Sequence, residues 1–188
     1  MRILILGLAL AALALPAAAQ APSSTPLAAP LPVSVPPAAD VATPEAAVQA
    51  IYAVISGPAG QPRDWARMRG LFVPGGMLMA TGSPKTGGVR TRVLTVEDYI
   101  AASSKTMETT GFYEHGVTGH IWRYAHIATV TSPYESRHAP GEAPFARGIN
   151  VFELMFDGTR WWVASIYWEG ETPGFPLPPE AEAQLKAK

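Results

Sequence analysis

The residues of this 188-residue chain that could transfer protons include His115 and Glu153, both in its second half. Imidazole exchanges protons near neutral pH, and a buried carboxyl group with a raised pKa does the same. We take His115 as a candidate general base, against the alternative of a strand histidine that faces solvent. Glu153 is the best carboxylate candidate if it is buried, against the alternative of a solvent-facing or salt-bridged glutamate. The sequence leaves open whether any reaction is catalysed.

Metal and cofactor chemistry find little support in the residue types. The chain has no cysteine, which excludes thiolate zinc sites, iron–sulfur clusters and a cysteine nucleophile. His120 and His126 would share one face of a strand but lie about 20 Å apart, too far to bind one ion. No glycine-rich phosphate loop, dinucleotide fingerprint or serine nucleophile elbow occurs. We predict neither a metal nor a cofactor.

Two predicted strands carry polar residues on otherwise apolar faces, which is typical of a ligand pocket. Ser132 and Tyr134 lie at alternate positions of one strand, where small neighbours leave space beneath the tyrosine ring. Asn150 interrupts an apolar row that includes Phe152. We predict that these four residues line a pocket. The alternatives are a core tyrosine whose hydroxyl meets a backbone group, and an amide that satisfies irregular backbone.

The elements that position these residues are helices first and strands second. Thr43-Pro44-Glu45 predicts a helix start, and Gly57-Pro58 predicts its end. A second helix is expected from Asp64 through Leu71. A third begins at Thr95, in a capping box with Asp98, and ends at Gly111.

From residue 112 onward, β-branched and aromatic residues alternate and predict an antiparallel meander. Helices followed by strands indicate an α+β domain. A short strand is also expected at Met77–Met79. The four strands of the meander are expected at Phe112–Tyr124, Ile127–Arg137, Arg147–Phe156 and Trp161–Glu169.

The N-terminal residues predict export. Residues 1–19 have the layout of a signal peptide: Arg2, an apolar run and a small-residue site with cleavage expected after Ala19. Residues 20–42 are rich in alanine and proline and are expected to form a disordered linker. The folded domain is expected at 43–180, followed by a tail at 181–188. The protein would then be periplasmic or secreted, with no membrane span after signal cleavage.

Charge and aromatic patterning limit the partners. The formal net charge of −1 lacks the basic excess that nucleic-acid binding requires. Trp161 and Trp162 are consecutive, and Tyr167 and Trp168 repeat the pattern, so aromatic rings occupy both faces of the last strand. Helices can cover one face. The other fits a homodimer contact through the sheet.

Several segments together resemble the nuclear-transport-factor-2-like superfamily, specifically its uncharacterised bacterial SnoaL-like members. The resemblance spans residues 43 to about 180. It implies a cone-shaped, curved antiparallel sheet wrapped around three N-terminal helices, the cystatin-like α+β roll, with a hydrophobic pocket at its mouth. The segments are Thr43-Pro44-Glu45 with its helix, 127–135, Arg147-Gly148-Ile149-Asn150, Asp157-Gly158-Thr159-Arg160-Trp161-Trp162, 168–173 and Pro176-Leu177-Pro178.

Similarity to the ketosteroid isomerases of this fold implies roles for two positions. Their oxyanion-donating tyrosine matches Tyr52, which adds Tyr52 to the candidate catalytic and pocket residues. Their aspartate general base matches Ala80, which cannot accept a proton. No acidic residue occurs from Arg69 through Val96, so a base would have to come from the sheet.

The reading that these observations favour is an exported domain that binds a small hydrophobic or amphipathic molecule. An alternative is a cofactor-independent lyase, cyclase or isomerase that uses Tyr52 or Tyr134 as donor and His115 or Glu153 as base. A third is a dimerisation or assembly module. Fold alone does not choose among them, because this superfamily includes both enzymes and binding modules.

Overall fold

A computed structural model describes residues 31–84 and 87–187. These residues form four α-helices, seven β-strands and a short 3₁₀ helix at Ala38–Val41. The helices are α1 (Pro44–Ile55), α2 (Trp65–Leu71), α3 (Val96–Thr110) and α4 (Pro179–Lys186). The strands are β1 (Phe72–Gly82), β2 (Arg90–Thr95), β3 (Tyr113–Gly116), β4 (Ile121–Tyr124), β5 (Ile127–Arg137), β6 (Ala146–Phe156) and β7 (Trp161–Gly170).

The first three helices begin where the local sequence predicts. The Thr43 hydroxyl accepts a hydrogen bond from the backbone N–H of Ala46 at 3.1 Å. At α3, the Thr95 hydroxyl accepts from the N–H of Asp98, and the Asp98 carboxylate accepts from the N–H of Thr95. This is the predicted capping box. Gly111 follows α3 with a φ of 72°, a backbone conformation that glycine adopts without strain.

The strands form one curved sheet in the order β2-β1-β7-β6-β5-β3, with β4 also paired to β5. The α+β roll and the β5-β6-β7 meander are confirmed. The sheet is mixed rather than fully antiparallel, because β1 lies parallel to β7. Parallel strands need a long connection, and the one between β1 and β7 contains most of the domain. The alternation of residue types does not indicate which distant strand pairs with β1.

Two strand predictions need correction, and one strand was not predicted. The strand expected at Phe112–Tyr124 is two strands, β3 and β4, with residues 117–120 between them. The strand expected at Met77–Met79 extends over the whole of β1. Strand β2 was not predicted, because the run Arg90-Thr91-Arg92-Val93 is polar and exposed and has no clear alternation.

The core lies between α1 and the inner face of the sheet. Tyr52 of α1 meets Phe152 of β6 edge to face, with ring centroids 5.9 Å apart. Phe152 is 1% exposed, and Trp161 belongs to the same buried cluster. Trp162 lies on the opposite, outer face, where its indole N–H donates to Asp157 at 2.6 Å. Aromatic rings therefore occupy both faces of β7.

Arg63 ties the end of α1 to the end of α3. Its guanidinium is buried and donates to the backbone carbonyls of Ile55 at 3.0 Å, Gly57 at 2.6 Å and Met107 at 3.0 Å. Two further bonds reach the carbonyls of residues 58 and 61. A buried charge is tolerated when its donors are satisfied in this way.

The described part of the predicted linker packs on the domain. The N–H of Ser34 donates to the carbonyl of Ala66 at 3.1 Å, and Asp40 forms an ion pair with Arg67 at 2.7 Å. Gly70 permits this approach, since a Cβ there would lie 2.0 Å from the Ser34 carbonyl oxygen. Composition alone predicted a linker to residue 42, but these specific contacts with α2 hold residues 34–41 in place. The predicted signal peptide and residues 20–30 lie outside the described residues.

The predicted tail is also part of the fold. Residues 181–186 belong to α4, in which Ala181 is buried. Glu182 lies 3.4 Å from Arg147 of β6, which also binds Glu171. Helix α4 therefore extends the domain beyond residue 180.

Candidate functional site

A cavity of about 260 Å³ lies between α1, α3 and the inner face of the sheet. A cavity of about 150 Å³ is enough for benzene, so this one accommodates a molecule larger than a single ring. Its wall is mostly apolar. It includes seven aromatic rings, from Tyr52, Tyr99, Phe112, Tyr134, Phe145, Phe152 and Trp168.

Glu114 of β3 is the acidic group of the cavity wall. Its Oε2 accepts a hydrogen bond from Ser136 Oγ at 2.8 Å, and its Oε1 accepts from Asn150 Nδ2 at 3.0 Å. Burial raises the pKa of the Glu114 carboxyl to about 7, against the opposing effect of these two donors. Throughout the described ranges, no lysine or arginine forms an ion pair with it. The group therefore exchanges its proton near neutral pH.

Tyr52 belongs to a hydrogen-bonded chain behind the cavity. Asn150 Nδ2 donates to the Tyr52 hydroxyl at 3.0 Å, which donates to Ser132 Oγ at 2.7 Å. Ser132 in turn donates to the carbonyl of Val117 at 2.8 Å. Burial raises the pKa of Tyr52, so the phenol keeps its proton. The Tyr52 O–H is therefore already used as a donor to Ser132. These hydrogen bonds also hold the Asn150 amide in place, and its Nδ2 donates to Glu114 as well.

The hydroxyl of Tyr134, unlike that of Tyr52, is not part of the hydrogen-bonded chain. The residue is 6% exposed and lines the cavity, yet its hydroxyl has no hydrogen bond to any residue that the structure describes. Burial, followed by the nearby charge of Glu114, raises the pKa of Tyr134. Gly148 makes room for it, since a Cβ there would lie 2.6 Å from the tyrosine oxygen. Among the described residues, the hydroxyl does not make the backbone contact that was the alternative to a pocket role.

The backbone of Glu114 is anchored from α1. Ser56, just after this helix, donates its hydroxyl to the Glu114 carbonyl at 3.3 Å and accepts from the Glu114 N–H at 3.0 Å. Strand β3 lies at the edge of the sheet, so this side chain satisfies groups that no further strand would reach. Ser56 therefore positions Glu114.

The structure brings together most of the predicted pocket residues. Tyr52, Tyr134, Asn150 and Phe152 line the cavity, and Ser132 lies directly behind Tyr52.

The two predicted bases lie elsewhere. His115 is exposed and borders a surface cleft with Arg137 and Glu142, a cleft that Glu114 also contacts. Glu153 is on the outer face of the sheet, where its Oε2 accepts from Thr129 Oγ1 at 3.0 Å. The cause is strand alternation, which turns consecutive residues to opposite faces. Neither side chain is part of the cavity wall, so neither fits the role of base in it.

Sequence reasoning missed Glu114, the neighbour of His115. One signal was available, because Glu114 shares a strand face with Phe112 and Gly116, an apolar and a small residue that a buried face tolerates. Gly116 has a specific reason to be small, since a Cβ there would lie 2.2 Å from the Tyr52 ring. Ala80, the position matched to the isomerase base, pairs with Trp168 in the sheet and offers no acceptor.

No group of three or more His, Asp or Glu side chains within 31–84 and 87–187 is arranged to hold a metal ion. In the same ranges, no helix is long and apolar enough to span a bilayer.

Comparison with solved structures supports the fold. A protein of unknown function with a cystatin-like fold from Nostoc punctiforme PCC 73102 is 12% identical, covers 70% of this chain and 90% of its own, and has a TM-score of 0.50. An NTF2-like protein of unknown function from Silicibacter pomeroyi DSS-3 is 10% identical, with coverages of 66% and 89% and a TM-score of 0.47. Another from Shewanella baltica OS155 is 12% identical, with coverages of 66% and 88% and a TM-score of 0.44.

The likeness to the Nostoc punctiforme protein, at a TM-score of 0.50, bears on the fold alone. The chain has a cystatin-like α+β roll, the fold that the resemblance in the sequence implies. No protein-family model and no curated protein matches the sequence.

Proposed function

We propose that the protein binds a small, largely apolar molecule that carries one polar group. The observation that carries this proposal is the cavity itself, in which seven aromatic rings surround a few connected polar groups. Apolar parts of a ligand would be desolvated against the rings, and its polar group would meet Glu114, Asn150 and the Tyr134 hydroxyl. The cavity volume favours ligands larger than benzene.

Binding of 2-naphthol, measured by isothermal titration calorimetry, tests the proposal. It is a neutral, fluorescent, two-ring molecule with one hydroxyl group. Ala146→Phe, which adds a ring to the cavity wall, should weaken binding at least tenfold. Val151→Phe, on the outer face of the same strand, is the matched control and should leave binding unchanged. Equal affinities of the two variants would contradict the proposal.

A second candidate is proton transfer at a carbon next to a carbonyl, as in a cofactor-independent lyase, cyclase or isomerase. The specific observation in its favour is that Glu114, with a pKa of about 7, lines the same cavity as the Tyr134 hydroxyl. In this reaction Glu114 takes the proton from carbon, and the Tyr134 hydroxyl stabilises the charge that develops on oxygen, since both N–H groups of Asn150 are already used. Glu114 replaces His115 and Glu153 as the base in this candidate.

Exchange of the α-hydrogens of 2-tetralone in D₂O, followed by NMR, tests this second candidate. The protein should accelerate exchange above the buffer rate, and Glu114→Gln should abolish the acceleration. Glu153→Gln should retain it. Exchange at the buffer rate with the unchanged protein would reject proton transfer but not binding.

Assembly is a third candidate, favoured by the outer face of the sheet. Val93, Met79, Tyr167 and Val151 lie in register across four strands, and the side chains of Val93 and Tyr167 are largely exposed. A second copy that covers this row would bury its apolar surface. Analytical ultracentrifugation should then find a dimer that Tyr167→Lys dissociates, whereas a monomer at high concentration would reject it.

Export is proposed on the signal-like layout of residues 1–19. Fractionation of a bacterial host that expresses the full chain should place the protein in the periplasm or medium. Its N-terminus there should begin at residue 20.

A further inference from the structure

The carboxyl group of Glu114 is set apart from other ionic side chains of the described region by its surroundings. Glu97 is paired with Arg69, Glu135 with Arg137, and Glu171 with Arg147. Glu114 is half-buried, and it accepts hydrogen bonds from the neutral side chains of Ser136 and Asn150 instead of pairing with a basic residue. Buried carboxylates are normally paired with a cation, because desolvation of an isolated charge is costly. A positive charge that fits here would have to come from a ligand.

The aromatic rings of the cavity also favour a positively charged ligand. Tyr99 and Trp168 meet edge to face, with centroids 6.3 Å apart and an angle of 88°, so they present two walls at right angles. The faces of phenol and indole rings attract cations. The cavity wall contains no lysine, arginine or histidine. An anionic ligand would therefore meet an acidic group and negative ring faces with no compensating charge.

We propose that the ligand is a lipophilic amine, bound as its ammonium ion with the nitrogen at Glu114 and the apolar part among the aromatic rings. This inference rests on the proposed function of the cavity as a small-molecule site. An ammonium group has up to three N–H donors, and the carboxylate keeps acceptor sites beyond those used by Ser136 and Asn150. The free Tyr134 oxygen can accept another N–H.

The affinity for such an amine depends on pH in a defined direction. The ammonium ion binds the ionised carboxylate, and the pKa of Glu114 is about 7. The groups that face Glu114 across the cavity include Tyr52, Tyr99 and Tyr134, and burial raises the pKa of all three, so they stay neutral over this range. His115, Arg137 and Glu142 border Glu114 in the surface cleft, outside the cavity wall. The affinity should rise about tenfold from pH 6 to pH 8, with uptake of the amine at pH 6 releasing one proton.

Three matched probes test the inference by calorimetry: 2-phenylethylamine, 2-phenylethanol and 3-phenylpropanoate. At pH 8 the unchanged protein should bind the amine at least tenfold more tightly than the alcohol and should not bind the acid. Glu114→Gln should remove the advantage of the amine while the alcohol still binds. Glu153→Gln should behave as the unchanged protein.

The outcomes separate the two proposals. Binding of the alcohol as tight as that of the amine, or tight binding of the acid, would overturn the amine inference and leave the small-molecule function standing. An amine affinity that Glu114→Gln leaves unchanged would also overturn it. Failure of all three probes to bind would count against both. The comparison of probes on the unchanged protein does not depend on whether a variant folds.

Discussion

The inner face of the sheet carries Glu114 and the outer face carries Glu153, and the surroundings of the two glutamates differ. Glu114 lies in an aromatic wall, where burial raises the pKa of its carboxyl to about 7. Glu153 accepts a hydrogen bond from Thr129 on the outer face and is not part of the cavity wall. The two glutamates therefore differ in their surroundings, a cavity wall for Glu114 and the outer surface for Glu153, because they lie on opposite faces of the sheet.

The largest contrast should appear in core packing. Phe152→Ala on the inner face should lower the free energy of unfolding by about 3–5 kcal/mol, because it removes a ring from the core. Val151→Ala, its neighbour on the outer face, should cost about 1 kcal/mol. Urea denaturation followed by circular dichroism measures both. Equal losses would mean that the two faces are buried alike in solution, as in a tight dimer.

The next contrast is the pH dependence of stability. The pKa of Glu114 is about 7 in the folded chain, against an ordinary value of 4.5. Between these values the folded state holds a proton that the unfolded state has lost, so stability falls as pH rises from about 4.5 to about 7. The loss should be on the order of 3 kcal/mol.

Urea midpoints measured from pH 4.5 to pH 8 test this dependence. Glu114→Gln should remove most of this slope, and Glu153→Gln should keep it. A slope that survives in the Glu114 variant would mean that another group is responsible.

A smaller effect is expected from the hydrogen-bonded chain behind the cavity. Tyr52→Phe should lower the free energy of unfolding by about 1–2 kcal/mol, because Ser132 and Asn150 each lose a buried partner. Tyr124→Phe is the control, since that side chain is 70% exposed, and it should change little. Thermal unfolding of both variants measures the difference. A Tyr52 variant as stable as the control would show that water replaces the lost hydroxyl.

The smallest effect should come from the outer face. Thr129→Val removes the hydrogen bond to Glu153 and should change stability by less than about 0.5 kcal/mol. Ser136→Ala removes one donor to Glu114 on the inner face and should cost more, with a further rise in the pKa of Glu114. Calorimetric melting compares them. A larger loss for Thr129→Val would reverse the ranking of the two faces.

Part of the site could be predicted from the sequence. Alternation placed Ser132 and Tyr134 on one strand face, and Asn150 was conspicuous as an amide in an apolar row. Glu114 is not predicted, because it is adjacent to His115 in a segment whose alternation indicates one continuous strand up to residue 124. The Tyr52 ring, from a residue 64 positions earlier in the chain, lies so close to Gly116 that a Cβ there would be 2.2 Å from it, a contact that alternation does not reveal.

The sequence by itself determined the features that short-range hydrogen bonds and residue alternation decide. These include the starts of α1 and α3 at Thr43 and Thr95 and the meander of β5, β6 and β7. Tertiary structure alone decided the parallel pairing of β1 with β7, the burial of Arg63 and the contact between Asn150 and Glu114. The physical reason is range: caps and alternation act over a few residues, whereas these contacts join segments that only the packed core brings together.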